Sequence, residues 1–440
     1  MLDINFVREN VTAVRNNLTK RNNPELLDLL DELLKLDEIW RKAKGEADNA
    51  RKVSNAANEE LNQAVKAMKA GNKDVKIEVF KETARKAKQR VSEKEAEETN
   101  FPEQIRSLLM RIPNMMDKDV PVGKDDSENV VVKTVGKKPK FDFTPISHVD
   151  IVEKQGWVDL DRAAKISGAR WYFLKGELAL LELAITKYAV DFMTQRGFTF
   201  IVPPFMMRRH AYEGVVSLSE FEDVMYKVEG KIKDEEDEED LYAIATSEHP
   251  LTAMYMNEVL DLKQLPIKLV GYSTNFRKEA GSHGKDQKGI FRVHQFNKIE
   301  QIVLCSPEDS WEFHEEILKN AMGFFESLGL HFQVVNVCTG DLGIIAAKKY
   351  DIETWYPVQN AFREVVSCSN CTTYQSVRAN IKFQYKQGRS FVHTLNSTCV
   401  ATSRALVAIM ENFQNEDGTV NVPEVLQKYV GFKVMGKPIK

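Results

Sequence analysis

Two rows of small or apolar residues run along the first part of the chain, and each row repeats every seven positions. One row is Leu36, Ala43, Ala50, Ala57 and Ala64, and the other is Trp40, Ala47, Ser54, Leu61 and Met68. Such rows form an a/d heptad seam, whose alanines let two helices approach closely. The pattern breaks at residues 71–74, a Gly-Asn-Lys-Asp turn signal, and resumes with Ile77, Ala84 and Val91 beside Phe80 and Ala87. We therefore predict an antiparallel coiled-coil hairpin that projects as an arm, with a first helix over about residues 35–70.

The pattern changes after the arm. Residues 113–150 hold four of the 14 prolines and are interpreted as a linker with short extended pieces. Apolar residues at helical spacing over Tyr172–Arg196 predict a long helix that stops at Gly197. The following FTFIVPPFM predicts a strand that ends at Pro203 and Pro204.

Strand-like and helical stretches then alternate irregularly. The strand-like stretches are LYAIAT, IKLVGYSTNF, FRVHQFNKIEQIVL, FQVVNVCT and WYPVQNAFREVVS, and the helical ones are WEFHEEILKNAMGFFESLG and CVATSRALVAIMENFQ. Hairpins and helices without regular βαβ spacing predict an α+β domain built on an antiparallel sheet flanked by helices. We expect three parts: an N-terminal domain with the arm over 1–112, the linker over 113–150, and the α+β domain over 151–440.

Composition narrows the class of protein. With 440 residues, 43% hydrophobic and 29% charged, the chain has the balance of a charge-rich globular protein of two or three domains. No apolar run reaches the length of a membrane span, and MLDINFVREN contains no secretory signal, so we expect no membrane contact. An odd count of five cysteines favours reduced thiols in the cytoplasm. The chain has neither GxGxxG nor GxxxxGK[ST], so neither of these nucleotide motifs is indicated.

Charge is concentrated in the arm. Residues 41–90 contain 14 Lys and Arg but only 7 Asp and Glu, although the whole chain has a net charge of −4. A basic segment on an otherwise acidic protein is typical of a nucleic-acid contact. Lys-rich exposed helices also arise for solubility alone, so the charge by itself leaves both interpretations open. The acidic run KIKDEEDEED at 231–240 is interpreted as a solvated loop.

The stretch GYSTNFRKEAGSHGKDQKGIFRVHQFNKIEQ at 271–301 carries unusual charges for a hairpin. Its polar positions include Arg277, Glu279, Arg292 and Glu300, among strand-forming aromatic and branched residues. Charged residues on a hairpin are usually solvated. Here, however, Arg277 and Glu279 are two apart, as are His294, Phe296, Lys298 and Glu300, so each set shares one sheet face. An arginine and carboxylates on one face are suited to binding a small charged ligand.

Four motifs, one of them within the 271–301 stretch, decide between these interpretations. They are TSEHPLTA, NFRKEAGSHGKDQKGIFRVHQF, AFREVVSCSNCTTYQSVR and HTLNSTCVATSRALVAIMEN, and they follow the basic arm in that order. Together they resemble the seryl-tRNA synthetases, a family of class II aminoacyl-tRNA synthetases, over essentially the whole chain. NSTCVATSR stands where bacterial members have a glycine-rich stretch, so the resemblance is to the archaeal and eukaryotic branch. It implies a class II catalytic domain over 151–440, a homodimer formed through the Tyr172–Arg196 helix and FTFIVPP, and charging of the serine tRNA (and of the selenocysteine tRNA where that exists).

The resemblance assigns a nucleotide site. The positions it implies for ATP are Arg277, Lys278, Glu279, Phe291, Val293, His294, Gln295, Phe296, Glu364, Val365, Val366, Ser367 and Arg404. Among these, Arg277, Glu279 and Arg404 carry the chemistry. Arg277 holds the α-phosphate together with the serine carboxylate, Glu279 lies beside the adenine amino group, and Arg404 contacts the γ-phosphate. Adenine stacks on Phe291.

The resemblance also assigns a serine site, formed by Thr246, Glu248, Arg277, Glu300 and Thr398. Thr246 and Glu248 hold the substrate ammonium, and we predict that Glu300 and Thr398 bind its hydroxyl. Two plainer interpretations stay open, because Thr-x-Glu commonly caps a helix and Thr398 precedes the helix of Arg404.

Metal expectations follow from the same motifs. Glu364 and Ser367 match positions that hold Mg²⁺ bound to ATP, and a carboxylate is a hard ligand suited to that ion. Cys368 and Cys371 form C-x-x-C, but no second Cys or His pair follows at ligand spacing, so no zinc is expected.

Two alternatives remain at this stage. One is a synthetase-like ligase that loads an amino acid onto a carrier protein, although such relatives lack the long arm. The other is a non-catalytic coiled-coil scaffold. A scaffold has no use for Arg277, Glu279, Glu364 and Arg404, which favours an enzyme.

Overall fold

The computed structural model describes residues 1–70, 76–216, 222–229, 240–279, 288–386 and 388–438. The chain divides into two compact units, Leu2–Pro113 and Asn114–Lys440, with Met1 counted in the second. The predicted turn at 71–74, nearly all of the acidic run at 231–240 and the middle of the 271–301 stretch lie outside the described residues. No described helix is long and apolar enough to cross a membrane.

The smaller unit is helical. Its helices are α1 (Ile4–Glu9), α2 (Val11–Thr19), α3 (Glu25–Lys69), α4 (Ile77–Glu98) and α5 (Phe101–Arg111). The α3 helix has 45 residues, about 68 Å at 1.5 Å per residue, and begins ten residues before the predicted start. It packs along α4 through the predicted seam, of which Ala47, Ala50, Ser54, Ala57, Ala64 and Ala84 are buried. Met68, assigned to that seam, is 45% exposed, so the seam ends before it.

Ion pairs fix the register of the two arm helices. Arg51 Nε donates to Glu95 Oε1 at 2.8 Å, and Lys94 Nζ lies 2.9 Å from Glu46 Oε2. These pairs join the middle of α3 to the end of α4, so the two helices run antiparallel, as predicted. The other basic side chains of the arm that the structure describes lie on its exposed surface.

The larger unit is built on an eight-stranded sheet. In sequence order its strands are β1 (Val130–Val135), β4 (Thr199–Ile201), β9 (Ile267–Phe276), β10 (Gln295–Cys305), β11 (Phe332–Asn336), β12 (Lys348–Tyr356), β13 (Ala361–Asn370) and β16 (His393–Ala401). Their order across the sheet is β1-β11-β12-β13-β16-β10-β9-β4. Neighbours pair antiparallel except at one edge, where β4 runs parallel to β9. The predicted α+β class is confirmed, with this parallel edge as an addition.

Shorter strands form small sheets around the main one. They are β2 (Val158–Asp159) with β3 (Phe173–Leu174), β5 (Met206–Arg208) with β7 (Leu241–Ala243) and β6 (Lys227–Val228), β8 (Val259–Asp261) with β14 (Lys382–Tyr385) and β15 (Gly388–Phe391), and β17 (Val420–Asn421) with β18 (Val434–Met435). Residues 114–150 belong to the larger unit, since β1 is an edge strand of its main sheet.

Helices cover the sheet. They are α6 (His148–Gln155), α7 (Leu160–Ser167), α8 (Gly176–Thr194), α9 (Arg209–Glu213), α10 (Glu248–Ala253), α11 (Ser310–Ser327), α12 (Tyr374–Ala379), α13 (Thr402–Asn412) and α14 (Glu424–Val430). The core joins α8, α11 and α13 to the sheet through residues such as Leu178, Ile185, Phe324 and Leu406. Apart from Arg404, the side chains of α13 are buried.

Three predicted boundaries of helices and strands in the larger unit were wrong. The helix expected from Tyr172 begins at Gly176, because Phe173 and Leu174 instead pair with β2. The strand expected from Phe291 begins at Gln295. The helix expected from Cys399 begins at Thr402, because Cys399–Ala401 complete β16, whose pairing with β10 extends the strand.

Candidate active site

The middle of the sheet carries the predicted site. Glu300 on β10 lies directly across from Gly271 on β9 and from Thr398 on β16. The β16 register slips by one residue beside Glu300, and this bulge brings Thr398 opposite the carboxylate. Gly271 has no room for a side chain, because a Cβ there would lie 2.7 Å from Ser247 Oγ. This close approach seats the start of α10, with Glu248, against β9.

Two adjoining cavities open above these strands, with volumes of about 150 Å³ and about 610 Å³. Their shared wall consists of Arg277, Glu279, Arg292, Lys298, Ser367 and Thr398. The smaller cavity is bounded by aromatic rings and arginines, and the larger by carboxylates, hydroxyls and a short apolar wall.

The smaller cavity has an aromatic floor. Phe291 and Phe296 line it together with Val293. The Arg404 guanidinium lies 5.5 Å from the centre of the Phe291 ring, and its Nη1 donates to the backbone oxygen of Glu364 at 2.7 Å. An aromatic ring below a fixed guanidinium is an arrangement suited to a flat, anionic ligand such as a nucleotide.

Arg277 joins the two cavities. It follows β9 directly, its Nε donates to the backbone oxygen of Ala245 at 3.3 Å, and its guanidinium lies 5.2 Å from the centre of the Phe296 ring. Burial, with the nearby Arg404 charge, lowers the pKa of Arg277. An arginine keeps its charge in such surroundings, so its other donors form a preorganised anion site.

The larger cavity presents two carboxylates. Glu248 Oε1 accepts a hydrogen bond from Gln375 Nε2 at 2.8 Å, and Glu300 Oε2 lies 2.6 Å from Lys298 Nζ. Burial, and then the charge of Glu300, raises the pKa of Glu248 to about 7. Glu248 therefore changes charge near neutral pH, whereas an ordinary glutamate does so near pH 4.

Both plainer interpretations of the threonines can be judged from the geometry. Thr246 Oγ1 accepts from the backbone N of Glu248 at 3.2 Å, so it does support the start of α10 while lining the cavity. Thr398 lies inside β16 and lines both cavities, while the N-cap of α13 is Ala401. The helix-capping interpretation of Thr398 is therefore wrong.

Comparison with known proteins identifies the family. Residues 1–116 match the family model of the seryl-tRNA synthetase N-terminal domain, and residues 226–413 match that of the tRNA synthetase class II core domain for G, H, P, S and T. The serine--tRNA ligase of Methanocella arvoryzae is 49% identical, with 98% of this chain and 99% of that protein covered; the one from Thermococcus sibiricus is 47% identical, with 98% and 97% covered. The chain belongs to the seryl-tRNA synthetase family.

Solved structures support the same family assignment. The seryl-tRNA synthetase of Pyrococcus horikoshii, crystallised with ATP, superposes with a TM-score of 0.91 at 45% identity and 100% coverage of both chains. The cytoplasmic serine–tRNA ligase of Naegleria fowleri, crystallised with AMP, gives a TM-score of 0.86 at 38% identity and 99% coverage of both. The relatives of higher identity named here are archaeal, in keeping with the branch predicted from NSTCVATSR.

Most of the residues predicted for a synthetase site converge on the two cavities. Those that line one or both are Thr246, Glu248, Arg277, Glu279, Phe291, Val293, Phe296, Glu300, Glu364, Val365, Ser367, Thr398 and Arg404. Glu279 lies beyond the end of β9 with φ +49°, and its Oε2 accepts from Arg292 Nη1 at 3.0 Å. The expectation that Arg277 and Glu279 share a strand face is therefore wrong, because the strand ends at Phe276.

Four predicted ATP residues do not line these cavities. Lys278 follows Arg277, with its backbone N bonded to Val224 O at 2.8 Å. His294 Nδ1 lies 2.7 Å from the backbone oxygen of Arg277 and so supports that residue. Gln295 lines a separate cavity of about 210 Å³, and Val366 is buried between the cavity-lining Val365 and Ser367.

Other cavity residues were absent from the predicted set. The polar and charged ones among them are His249, Arg292, Lys298, Asp341, Lys349, Ser369, Cys371, Asn396 and Ser403. Strand alternation carries a signal for three of them, since Lys298 lies two residues before Glu300, Asn396 two before Thr398 and Ser369 two after Ser367. Lys349 gave no such signal, because it enters from β12 on the far side of β13.

Glu364 and Ser367, the two residues predicted to hold Mg²⁺, both line the smaller cavity. Desolvation opposes ionisation of Glu364, but Arg404, Lys349 and Arg277 outweigh it and lower the pKa of this carboxyl. Cys368 and Cys371 are buried with free thiols, and burial raises the pKa of both. Among the described residues, no group of three or more His, Cys, Asp and Glu is placed to hold a metal ion.

Proposed function

We propose that this protein activates L-serine with ATP to seryl-adenylate and then transfers the seryl group to the serine tRNA. The observation that carries the proposal is Arg277 in the wall shared by two cavities, one with an aromatic floor for a nucleotide and one with carboxylates for an amino acid. The enzyme family, and the ATP with which the Pyrococcus enzyme is complexed, support the same assignment.

In the first step, a serine carboxylate oxygen attacks the α-phosphorus of ATP. A new C–O–P linkage forms, the bond to the β-phosphate oxygen breaks, and pyrophosphate leaves. Arg277 binds both reacting anions, and Arg404 stabilises charge toward the γ-phosphate. Glu279, held by Arg292, lies beside the adenine amino group. Catalysis then rests on positioning and fixed charge rather than on a nucleophilic side chain.

In the second step, a hydroxyl of the terminal tRNA ribose attacks the acyl carbon of the adenylate. The ester to tRNA forms and AMP leaves with the electron pair of the broken C–O bond. The same assignment covers the selenocysteine tRNA where that tRNA exists, because the seryl group is the same.

Serine is held by groups that face each other across the larger cavity. Glu248 and Thr246 accept from its ammonium, and Arg277 binds its carboxylate. The hydroxyl lies between Glu300 and Thr398, which are cross-strand neighbours. A buried site built for a hydroxyl discriminates against alanine, because alanine leaves those polar groups unpaired.

Mg²⁺ accompanies ATP in this proposal. Glu364 and Ser367 both line the smaller cavity, and the lowered pKa of Glu364 keeps it an ionised oxygen ligand. These residues fit a hard cation, which neutralises phosphate charge when bound. We expect no zinc here.

The division of labour follows the sequence prediction: residues 1–112 bind tRNA and residues 151–440 carry the chemistry. The predicted linker, residues 113–150, connects them in sequence and from Asn114 onward belongs to the larger unit. Support comes from the arm itself, where Lys52, Lys66, Lys69, Arg85 and Lys86 are basic and largely exposed. Phosphate binding by such residues is independent of sequence and sensitive to salt.

A homodimer is also proposed. The predicted dimer-forming segments, α8 and the FTFIVPP stretch that includes β4, expose large apolar side chains, among them Leu180, Leu183, Phe200 and Val202. An apolar patch on these elements is suited to a second copy of the chain. We further assign the enzyme to the cytoplasm, which agrees with its free thiols and with the Naegleria relative that is named cytoplasmic.

Exchange of labelled pyrophosphate into ATP tests the activity directly. Exchange that depends on serine, followed by charging of the serine tRNA, is the expected result. Loading of a carrier protein without tRNA charging indicates the alternative ligase, and absence of any amino-acid-dependent exchange indicates a scaffold. Sedimentation of the purified protein measures the dimer.

A further inference from the structure

Lys298 is the least exposed cation in the wall shared by the two cavities. Its side chain is 9% exposed and that of its partner Glu300 is 2% exposed, with Nζ 2.6 Å from Oε2. It lies on β10 between Phe296 and Glu300, whose side chains share its face. A lysine is seldom buried unless it is paired with an opposite charge. A buried lysine in the wall of a cavity therefore points to a function for the pair.

The charge of the larger cavity, which is the proposed serine site and is called the serine cavity below, explains the buried pair. Glu248 and Glu300 bring two carboxylates to a site whose substrate carries one ammonium. Arg277 is engaged by the substrate carboxylate in the proposed function. The other basic side chains that line the larger cavity have their own partners, Arg292 with Glu279 at 3.0 Å and Lys349 with Asp351 at 3.1 Å. Lys298 is thus the cation that balances the second carboxylate.

We propose that Lys298 is a positioning residue for serine, which holds Glu300 toward the substrate hydroxyl and balances the charge of the two carboxylates, Glu248 and Glu300, that face the substrate. The proposal rests on the serine activation proposed above and adds a residue that does not itself react. Lys298 binds one oxygen of Glu300 and leaves the other for serine.

The electrostatic surroundings of Glu248 support this role. The charged and titratable groups that act on it are Glu300 and Lys298 from β10 and Arg277 after β9, while Tyr212 of α9 and Cys371 after β13 also sense its charge. Glu300 raises the pKa of Glu248, whereas Lys298 and Arg277 lower it. Burial alone already favours the protonated form, so Lys298 helps to keep the pKa from rising above about 7.

Substitution of Lys298 should shift the pKa of Glu248 in a definite direction. Loss of this cation raises the pKa of Glu248, so at neutral pH more of the carboxyl is protonated and cannot hold an ammonium. Loss of the Glu300 charge acts in the opposite direction. A nearby charge commonly shifts a carboxyl pKa by about 1–3 units.

The experiment measures kcat/KM for serine in pyrophosphate exchange at saturating ATP from about pH 6 to about pH 9. The parent protein, assayed beside each variant, accounts for the ionisation of serine and ATP. Its profile should rise through about pH 7. For Lys298→Met we expect that midpoint to move up by more than about one unit. The KM for serine near pH 7 should rise at least about fivefold, because a shift of one unit lowers the ionised fraction of Glu248 by about that factor, while the KM for ATP stays within about twofold.

Three further variants isolate the effect of the Lys298 charge. Lys298→Arg keeps the cation and should keep the midpoint near that of the parent. Glu300→Gln should lower the midpoint, and Lys298→Met in the Glu300→Gln background should raise it again. This last comparison also covers the case in which Lys298→Met alone fails to fold, because the double variant buries no unpaired charge.

The outcomes distinguish failure of the proposed function from failure of the role proposed for Lys298. A parent protein without serine-dependent exchange overturns the proposed function itself. An active parent whose midpoint is unmoved by Lys298→Met, or by its addition to Glu300→Gln, overturns the role of Lys298. A Lys298→Met protein with a lower melting temperature but an unmoved midpoint shows a merely structural pair, which also overturns it.

Discussion

The arm and the serine cavity use the same kinds of residue in opposite surroundings. On α4, Arg85 Nε donates to Glu82 Oε2 at 2.8 Å, and both side chains are exposed. In the cavity, Lys298 lies 2.6 Å from Glu300, and both are buried. The distances differ little, but an exposed pair is screened by water and salt, whereas a buried pair determines the charge of its neighbours.

This contrast separates two uses of charge. The exposed basic residues of the arm are interchangeable, because a phosphate backbone is met by a sum of many contacts. Each charge in the cavity has a fixed partner, so a single substitution there changes the protonation or orientation of another residue. Substitutions in the two regions should therefore affect different measurements, and by different amounts.

The largest expected effect comes from removal of the arm. The structure shows where to cut: Arg51 and Glu95 are hydrogen-bonded, so the two helices lie side by side there and a short turn can join them. Replacement of residues 50–95 by such a turn should abolish tRNA charging and leave serine-dependent exchange within about twofold, since no cavity residue lies in the arm. Charging at the parental rate would assign the arm another role.

The next effect is the loss of Arg277. Arg277→Ala removes a preorganised anion site, so serine-dependent exchange should fall by at least about two orders of magnitude. Arg85→Ala in the arm is the matched control, because it removes the same side chain from an exposed position and should leave exchange unchanged. Near-normal exchange by a folded Arg277→Ala protein would contradict its assigned place between the two reacting anions.

The two regions also differ in how far sequence predicts them. The heptad rows of the arm predicted its paired helices, because neighbours on a helix face follow from local spacing. The cavity depends on strands far apart in sequence, so spacing within one strand marked Glu300 but could not show that Thr398 lies opposite it. Only the family motifs brought those residues together, and Lys349, which lies outside those motifs, was missed.

Predicted boundaries of helices were wrong for a related reason. Tyr172–Arg196 has continuous helical spacing, but Phe173 and Leu174 gain strand partners in Asp159 and Val158, and this tertiary pairing overrides the local pattern. Met68 fits the heptad row but is exposed at the end of α3, where the seam has ended.

A smaller effect is expected from the residues that we propose to bind the substrate hydroxyl. Glu300→Gln and Thr398→Ala should each reduce the preference for serine over alanine by about 10–100-fold, since each leaves part of the hydroxyl site unpaired. The KM for ATP should change less. Exchange measured with serine, alanine and threonine gives the serine-to-alanine and serine-to-threonine ratios. An unchanged serine-to-alanine ratio in both variants would mean that the hydroxyl is bound elsewhere.

The smallest effect should come from the exposed pair that matches the buried one. The Arg85 hydrogen bonds are the main reason that the pKa of Glu82 falls to about 2, and a lowered pKa adds stability above about pH 4 that is lost as pH falls toward about 2. Because water screens this pair, Glu82→Gln should leave the melting temperature at neutral pH within about 1 °C of the parent. The same change leaves Arg85 and Lys86 without a neighbouring anion, so tRNA binding at low salt should tighten up to about twofold and the gain should vanish at high salt. A clear loss of stability would show that charge in the arm also supports the fold, and the contrast with Lys298 and Glu300 would then be one of degree.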